Sequence, residues 1–163
     1  LNSGILYKLN ISSLTDCAGN TNENIETQFA LPQQAESGDI LINEILFNPK
    51  VGGVDFIELV NTSNKFINLQ NWKIANEKEG VLDELKTITT QNIIIKPKEY
   101  KVLTENTETL RTHYPLSNHP SFITVDLPSM PDESGIIILM NNTEEKQETI
   151  SYYEEWHNPL LRE

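Results

Sequence analysis

Cysteine is almost missing from this sequence: Cys17 is the only one in 163 residues. An intrachain disulfide is therefore excluded, and so is any zinc site built on paired cysteines. The expected place for Cys17 is a small buried side chain, because a nucleophile needs a neighbouring base and the sequence identifies none. Positive charge is also scarce. Lys and Arg number 12 against 24 Asp and Glu, a net charge of −12, and such a field repels phosphate backbones. Nucleic acid is thus not expected as a partner. No apolar run approaches the ~20 residues of a membrane-spanning helix, so no membrane insertion is expected. No signal peptide opens the chain. It starts in strand-like sequence, as a segment of a longer protein does, and the missing signal is silent on export. Serine-hydrolase, P-loop and dinucleotide fingerprints are absent. His113, His119 and His157 lack the spacing of metal ligands. No cofactor and no enzymatic activity are expected.

What is present is β-sequence. The apolar fraction is 37%, and a chain of this length buries roughly 70% of its unfolded surface without staples. Residues 38–74 are the centre of the pattern. Ile40, Ile42, Ile45 and Phe47 mark a strand whose phase slips at Glu44, which predicts a bulge. Asn48-Pro49 and Gly52-Gly53 are turn signals, since proline fixes φ and glycine admits φ > 0. Residues 54–60 resume the strand pattern. Phe66, Ile67, Leu69, Trp72 and Ile74 follow as a short alternating strand with Trp72 in the core.

On the N-terminal side, Ile5, Tyr7, Leu9 and Ile11 alternate with polar residues, and Ile25, Thr27, Phe29 and Leu31 do so again. Two strands do not make a stable domain. Residues 1–31 therefore either join the sandwich that follows or close a preceding immunoglobulin-like domain, with 32–38 as a polar linker and 39–163 as the main domain. On the C-terminal side, residues 75–92 are polar, with room for a helical turn or two between Glu77 and Lys86. Ile93–Ile95 and Tyr100–Thr104 read as strands around a Pro97-Lys98-Glu99 turn. A short helix is expected over Thr107–Tyr114, capped by Thr107. Strands at Phe122–Thr124, Ile136–Met140 and Glu148–Tyr153 precede a tail, 154–163, that contains Trp156 and Pro159. Strands recur every 8–15 residues or so without β-helix-β alternation, which predicts an all-β, immunoglobulin-like sandwich of antiparallel strands.

Several of these segments together resemble the lamin tail domain family. They are Ile42–Ile45 with the Asn48-Pro49 turn, Asp55–Asn61, the Ile67-x-Leu69-x-x-Trp72 segment and Pro97–Leu103. Leu127-Pro128-Ser129, Ile136–Met140 and the closing Tyr152, Trp156 and His157 continue the likeness. The resemblance covers about residues 38–161. Lys98 stands where a turn glycine is common in the family and Asn68 where an aspartate is common. The family's usual final strand would follow residue 161. Residues 1–31, with the Leu14–Asn20 loop, look like the closing strands of an immunoglobulin-like domain that precedes such modules in bacterial secreted proteins. The resemblance implies a non-catalytic accessory or interaction module of a larger exported or cell-surface protein. Its partners would be neighbouring domains of the same polypeptide and other surface proteins.

Each candidate site has a plainer counterpart. Asp39, Glu44, Asp55 and Glu58 cluster along the first hairpin, and Asp55 and Glu58 are the calcium candidates, as oxygen ligands alongside backbone carbonyls. No Asp-x-Asp-x-Asp loop accompanies them, and solvated charges account for them more simply. Three residues apart, the two face opposite sides of a strand and do not form an acid/base couple. Glu44 and Glu58 are placed to sit cross-strand on one face. Tyr153 and Trp156 are the candidates for a carbohydrate platform, with Tyr152 and Tyr153 on opposite faces. Asn10, Asn61 and Asn141 open Asn-x-Ser/Thr sequons, which chance alone produces in a chain rich in Asn and Thr. A carbohydrate- or calcium-binding module attached to a secreted hydrolase is the alternative reading.

Overall fold

The computed structural model describes residues 1–156. The expectations for residues 157–163, including His157, Pro159 and the position of a closing strand, lie outside the described residues.

The strand pattern builds two four-stranded sheets. One has the order β10–β9–β4–β3, formed by β3 (Ile40–Leu46), β4 (Phe56–Asn61), β9 (Tyr100–Thr104) and β10 (Phe122–Thr124). The other has the order β12–β11–β6–β7, formed by β6 (Lys73–Lys78), β7 (Val81–Thr87), β11 (Ser134–Met140) and β12 (Lys146–Tyr153). All pairings are antiparallel except β10 with β9, which run parallel. A small ladder of β5 (Ile67–Asn68) and β8 (Ile94–Ile95) closes one flank. This is the immunoglobulin-like sandwich expected from the sequence.

Period-2 alternation sends Ile57, Leu59 and Leu103 inward from one sheet and Ile137, Leu139 and Tyr152 inward from the other. Trp72, Phe47, Leu69 and Ile95 fill the space between them. Burial of this kind is worth roughly 1.5–3 kcal/mol per large side chain, which makes the layer the main source of stability. The opposite face of β4 and β9 carries a smaller apolar cluster, Phe56 and Val102, roofed by Leu110 of helix α1 (Thr107–His113).

Several local features differ from the sequence expectation, each for an identifiable reason. Trp72 is buried but lies in the turn before β6, where Asn71 takes φ of 61° and the Trp72 N–H donates to Leu69 C=O at 3.1 Å. No helical turn forms between Glu77 and Lys86. Glu79 and Gly80, with φ of 53° and 79°, make a two-residue hairpin turn that joins β6 to β7. The helix cap is Asn106, one residue before Thr107; its side chain accepts from the Glu108 and Thr109 amides. Lys98, where glycine was the family habit, adopts the left-handed region itself, at φ 62°. The predicted bulge is present, as the β3–β4 register shifts between Ile42 and Glu44.

Residues 1–31 form their own two-stranded ribbon, β1 (Leu6–Ile11) against β2 (Ile25–Ala30), with no ladder to either sandwich sheet. Cross-strand register places Tyr7 opposite Phe29, Leu9 opposite Thr27 and Ile11 opposite Ile25 on one face, and Lys8 opposite Gln28 on the other. The apolar face is open: Ile5, Leu9, Ile25 and Phe29 are 40–48% exposed. Cys17 sits on the connecting loop and is exposed, contrary to the buried place expected for it, because that loop packs under no apolar layer. Residues 32–38 run along the sandwich, with the Gln33 N–H donating to Phe66 C=O at 2.8 Å and Ala35 packed on the core.

Candidate functional site

The carboxylates of the first hairpin separate into two groups. Asp55 immediately precedes β4, and its carbonyl accepts from Thr104 Oγ1 at 2.8 Å, so its backbone is fixed. Its half-buried carboxyl is pushed up to about 6, first by burial and then by the negative charges of Asp132 and Glu105. Near the same charges is the Tyr152 hydroxyl, a buried group with no hydrogen-bond partner among the described residues. Burial, then Asp55 and Asp132, pushes this phenol up to about 12. Gly135 is cross-strand from Tyr152, and a Cβ there would overlap the ring.

Glu58 belongs to the other group. It lies directly cross-strand from Glu44, and its carboxylate accepts from Asn43 Nδ2 at 2.7 Å. Glu44 is raised, by burial and then by Glu58. Asp55 and Glu58 therefore serve different neighbourhoods. Among the described residues, no three Asp, Glu, His or Cys side chains gather as a ligand set for a metal ion. Asp39 has a third environment, an ion pair with Lys65 at 2.8 Å.

The second group borders a groove of about 420 Å³ on the open side of the sandwich, where the edge strands β3 and β12 approach each other. Ile42, Ile45 and Phe47 form its floor with Ile150 of β12, and Asn43 and Glu44 form a rim. Trp156 stands at the groove, 57% exposed. Tyr153 is also exposed, on the opposite side of β12 from the buried Tyr152, but it does not line the groove.

Two residues of this region were not singled out from the sequence. Glu148 of β12 reaches across the gap and its carboxylate accepts the Ile42 amide, which shows that this amide points away from β4. Glu148 is raised from the ordinary carboxylate range, by burial. Asn43 orients Glu58. No sequence signal marks either, because both act at a sheet edge, and strand order is not encoded in local periodicity.

Two of the three sequons have a structural origin. Asn61 is fully buried and donates from Nδ2 to the carbonyls of Lys65 and Ile95, while its Oδ1 accepts from Ser63 N and Oγ. Asn141 is buried likewise; its Oδ1 accepts from Thr143 N and Oγ1 and from Glu145 N. In both, Asn followed two residues later by Ser or Thr is the signature of a side-chain-capped turn. Neither amide is accessible for glycosylation; Asn10 is exposed.

Among known protein families, the model of the Lamin Tail Domain matches residues 33–154, which is the whole described sandwich together with the strap that precedes it. No curated protein matches the chain.

Proposed function

The chain belongs to the lamin tail domain family, and we propose that it is a non-catalytic accessory module of a larger exported or cell-surface protein, spacing neighbouring domains or docking a partner. The family is generally non-catalytic. The observation that carries the reading is the contrast between a closed sandwich and an attached ribbon whose apolar face, Ile5, Leu9, Ile25 and Phe29, is open to water. A two-stranded ribbon is marginal alone, and a one-faced apolar ribbon is what a sandwich contributes to its own core. Residues 1–31 accordingly act as the closing strands of a preceding immunoglobulin-like domain, and residues 32–38, lying along the sandwich, set the angle between the two. The acidic surface, net −12, suits a protein-facing role and disfavours nucleic acid.

Removing residues 1–31 tests this directly. The sandwich is expected to keep its melting temperature within about 2 °C, since no ladder is lost. A fall of more than about 8 °C would make the ribbon part of the sandwich and end the reading.

A second reading, a carbohydrate-binding module, is supported by the exposure of Tyr153 and Trp156. It requires a ring-stacking surface, and a titration with soluble oligosaccharides followed by tryptophan fluorescence checks it. Trp72 is buried, so Trp156 dominates any change.

A further inference from the structure

The open side of the sandwich combines features that together specify a ligand. β3 is the last strand of its sheet. Beyond its ladder with β4, residues 43–46 make no backbone hydrogen bonds among the described residues. An unpaired edge is a template for another strand, and natural sheets usually blunt it. Here only the first half is blunted, by Glu148 on the Ile42 amide. The second half opens on the groove floored by Ile42, Ile45 and Ile150. Its charge is one-sided. Glu44, Glu58 and Glu148 take part in no ion pair among the described residues, although seven pairs occur elsewhere. Glu44 faces Glu58 directly across the ladder, the arrangement in which like charges destabilise a sheet.

We propose that the Asn43–Leu46 edge of β3 receives an extended peptide segment in which apolar residues alternate with lysine or arginine. The proposal deepens the docking reading above and rests on it. Strand addition supplies backbone hydrogen bonds to a sheet edge, and alternate side chains supply selectivity. Side chains of an added strand point alternately to the two faces of the sheet. Those on the inner face lie over Ile45 and Ile150 and are apolar. Those on the outer face come beside Glu44 and Glu58, where a cation relieves the repulsion between the two carboxylates. Four residues of free edge correspond to roughly 13 Å of strand, a short linear segment and not a second folded surface. Trp156, at the groove, reports occupancy.

The test uses the whole chain and an acetylated heptapeptide that alternates lysine with valine, compared with its glutamate–valine counterpart. Amide chemical shifts of residues 43–46 and the emission of Trp156 are followed together. The lysine peptide is expected to move both and the glutamate peptide neither, with affinity falling as salt is raised. Glu44→Gln should weaken binding roughly twofold to fivefold, and Glu44→Lys should transfer the preference to the glutamate peptide. Because Glu44 is a rim residue, both variants are expected to fold, and the unbound amide spectrum verifies it.

Equal binding of the two peptides would overturn the proposal, as would silence of residues 43–46 toward the lysine peptide. Shifts at those residues that appear on concentrating the protein alone would assign the edge to a second copy and overturn it too. An oligosaccharide that moves Trp156 where the peptide does not would assign the groove to a glycan. None of these results bears on deletion of residues 1–31, so the module reading stands or falls separately.

Discussion

Both the ribbon and the sandwich are alternating β-sequence, and they solve the burial problem differently. The sandwich closes two sheets over Trp72, Leu59, Leu69, Ile137 and Tyr152. The ribbon has a comparable apolar row, Ile5, Tyr7, Leu9, Ile11, Ile25 and Phe29, in which the cross-strand Tyr7 and Phe29 rings stack on each other at 5.4 Å, and it forms no ladder with either sandwich sheet. Period-2 patterning states that a face will be buried; it does not state against what. Stability should therefore reside almost wholly in residues 39–156, and substitutions should sort by region and not by hydrophobicity.

The sharpest contrast pairs two aromatic truncations. Trp72→Ala should cost about 3–5 kcal/mol in chemical denaturation, from lost burial and the cavity left behind. Phe29→Ala should change the same transition by less than about 0.5 kcal/mol. Comparable losses would mean that the ribbon is part of the cooperative unit.

Asn61→Ala comes next. It removes a fully buried amide whose partners include the carbonyls of Lys65 and Ile95 and the Ser63 amide. Leaving them unpaired should cost about 1–3 kcal/mol, read as a lowered urea midpoint. Asn10, on the exposed ribbon, should tolerate alanine with no measurable change.

Asp55 gives a smaller effect with a defined pH dependence. Its folded pKa, about 6, lies above the unfolded value of 3.8. The folded state therefore holds the proton more tightly. The stabilisation is complete below about pH 4, is lost as pH rises through 6, and is absent at neutral pH. Allowing for solvent screening of a half-exposed group, the difference is about 1–2 kcal/mol. Asp55→Asn should therefore stabilise the protein at pH 7 and flatten its stability between pH 4 and 6, measured by urea unfolding across that range. If the same carboxylates instead serve calcium, millimolar calcium will raise the melting temperature of the parent and not of Asp55→Asn.

Cys17 gives the smallest stability effect. Exposed on the ribbon loop, it should react with a thiol reagent in the native state at nearly the rate of a free peptide, and Cys17→Ser should leave the melting temperature unchanged. Slow labelling would place the loop under cover.

These comparisons follow the line between what the sequence made legible and what it did not. Strand positions, the bulge at Glu44 and the burial of Trp72 were readable because side-chain alternation and turn chemistry are local. The β6–β7 hairpin was not, because its turn residues are Glu79 and Gly80 and its exposed β7 is polar over much of its length, so periodicity is weak. Cys17 misled because small apolar side chains are usually buried and nothing local reveals that a loop lacks a lid. At the site, the separation of Asp55 from Glu58 followed from strand alternation. The gathering of Asp55 with Asp132 and Glu105, and of Glu148 with the β3 edge, depends on strand order and on contacts far apart in sequence. All three Asn-x-Ser/Thr triplets were visible, but the meaning of those at Asn61 and Asn141 as buried turn caps required the fold.

Native-state hydrogen exchange over residues 1–156 separates the ribbon from the sandwich amide by amide. Amides of β4, β9 and β11 are expected to exchange only through global unfolding, while those of β1 and β2 exchange orders of magnitude faster through local opening. Equal protection of the ribbon and the sandwich core would contradict that expectation.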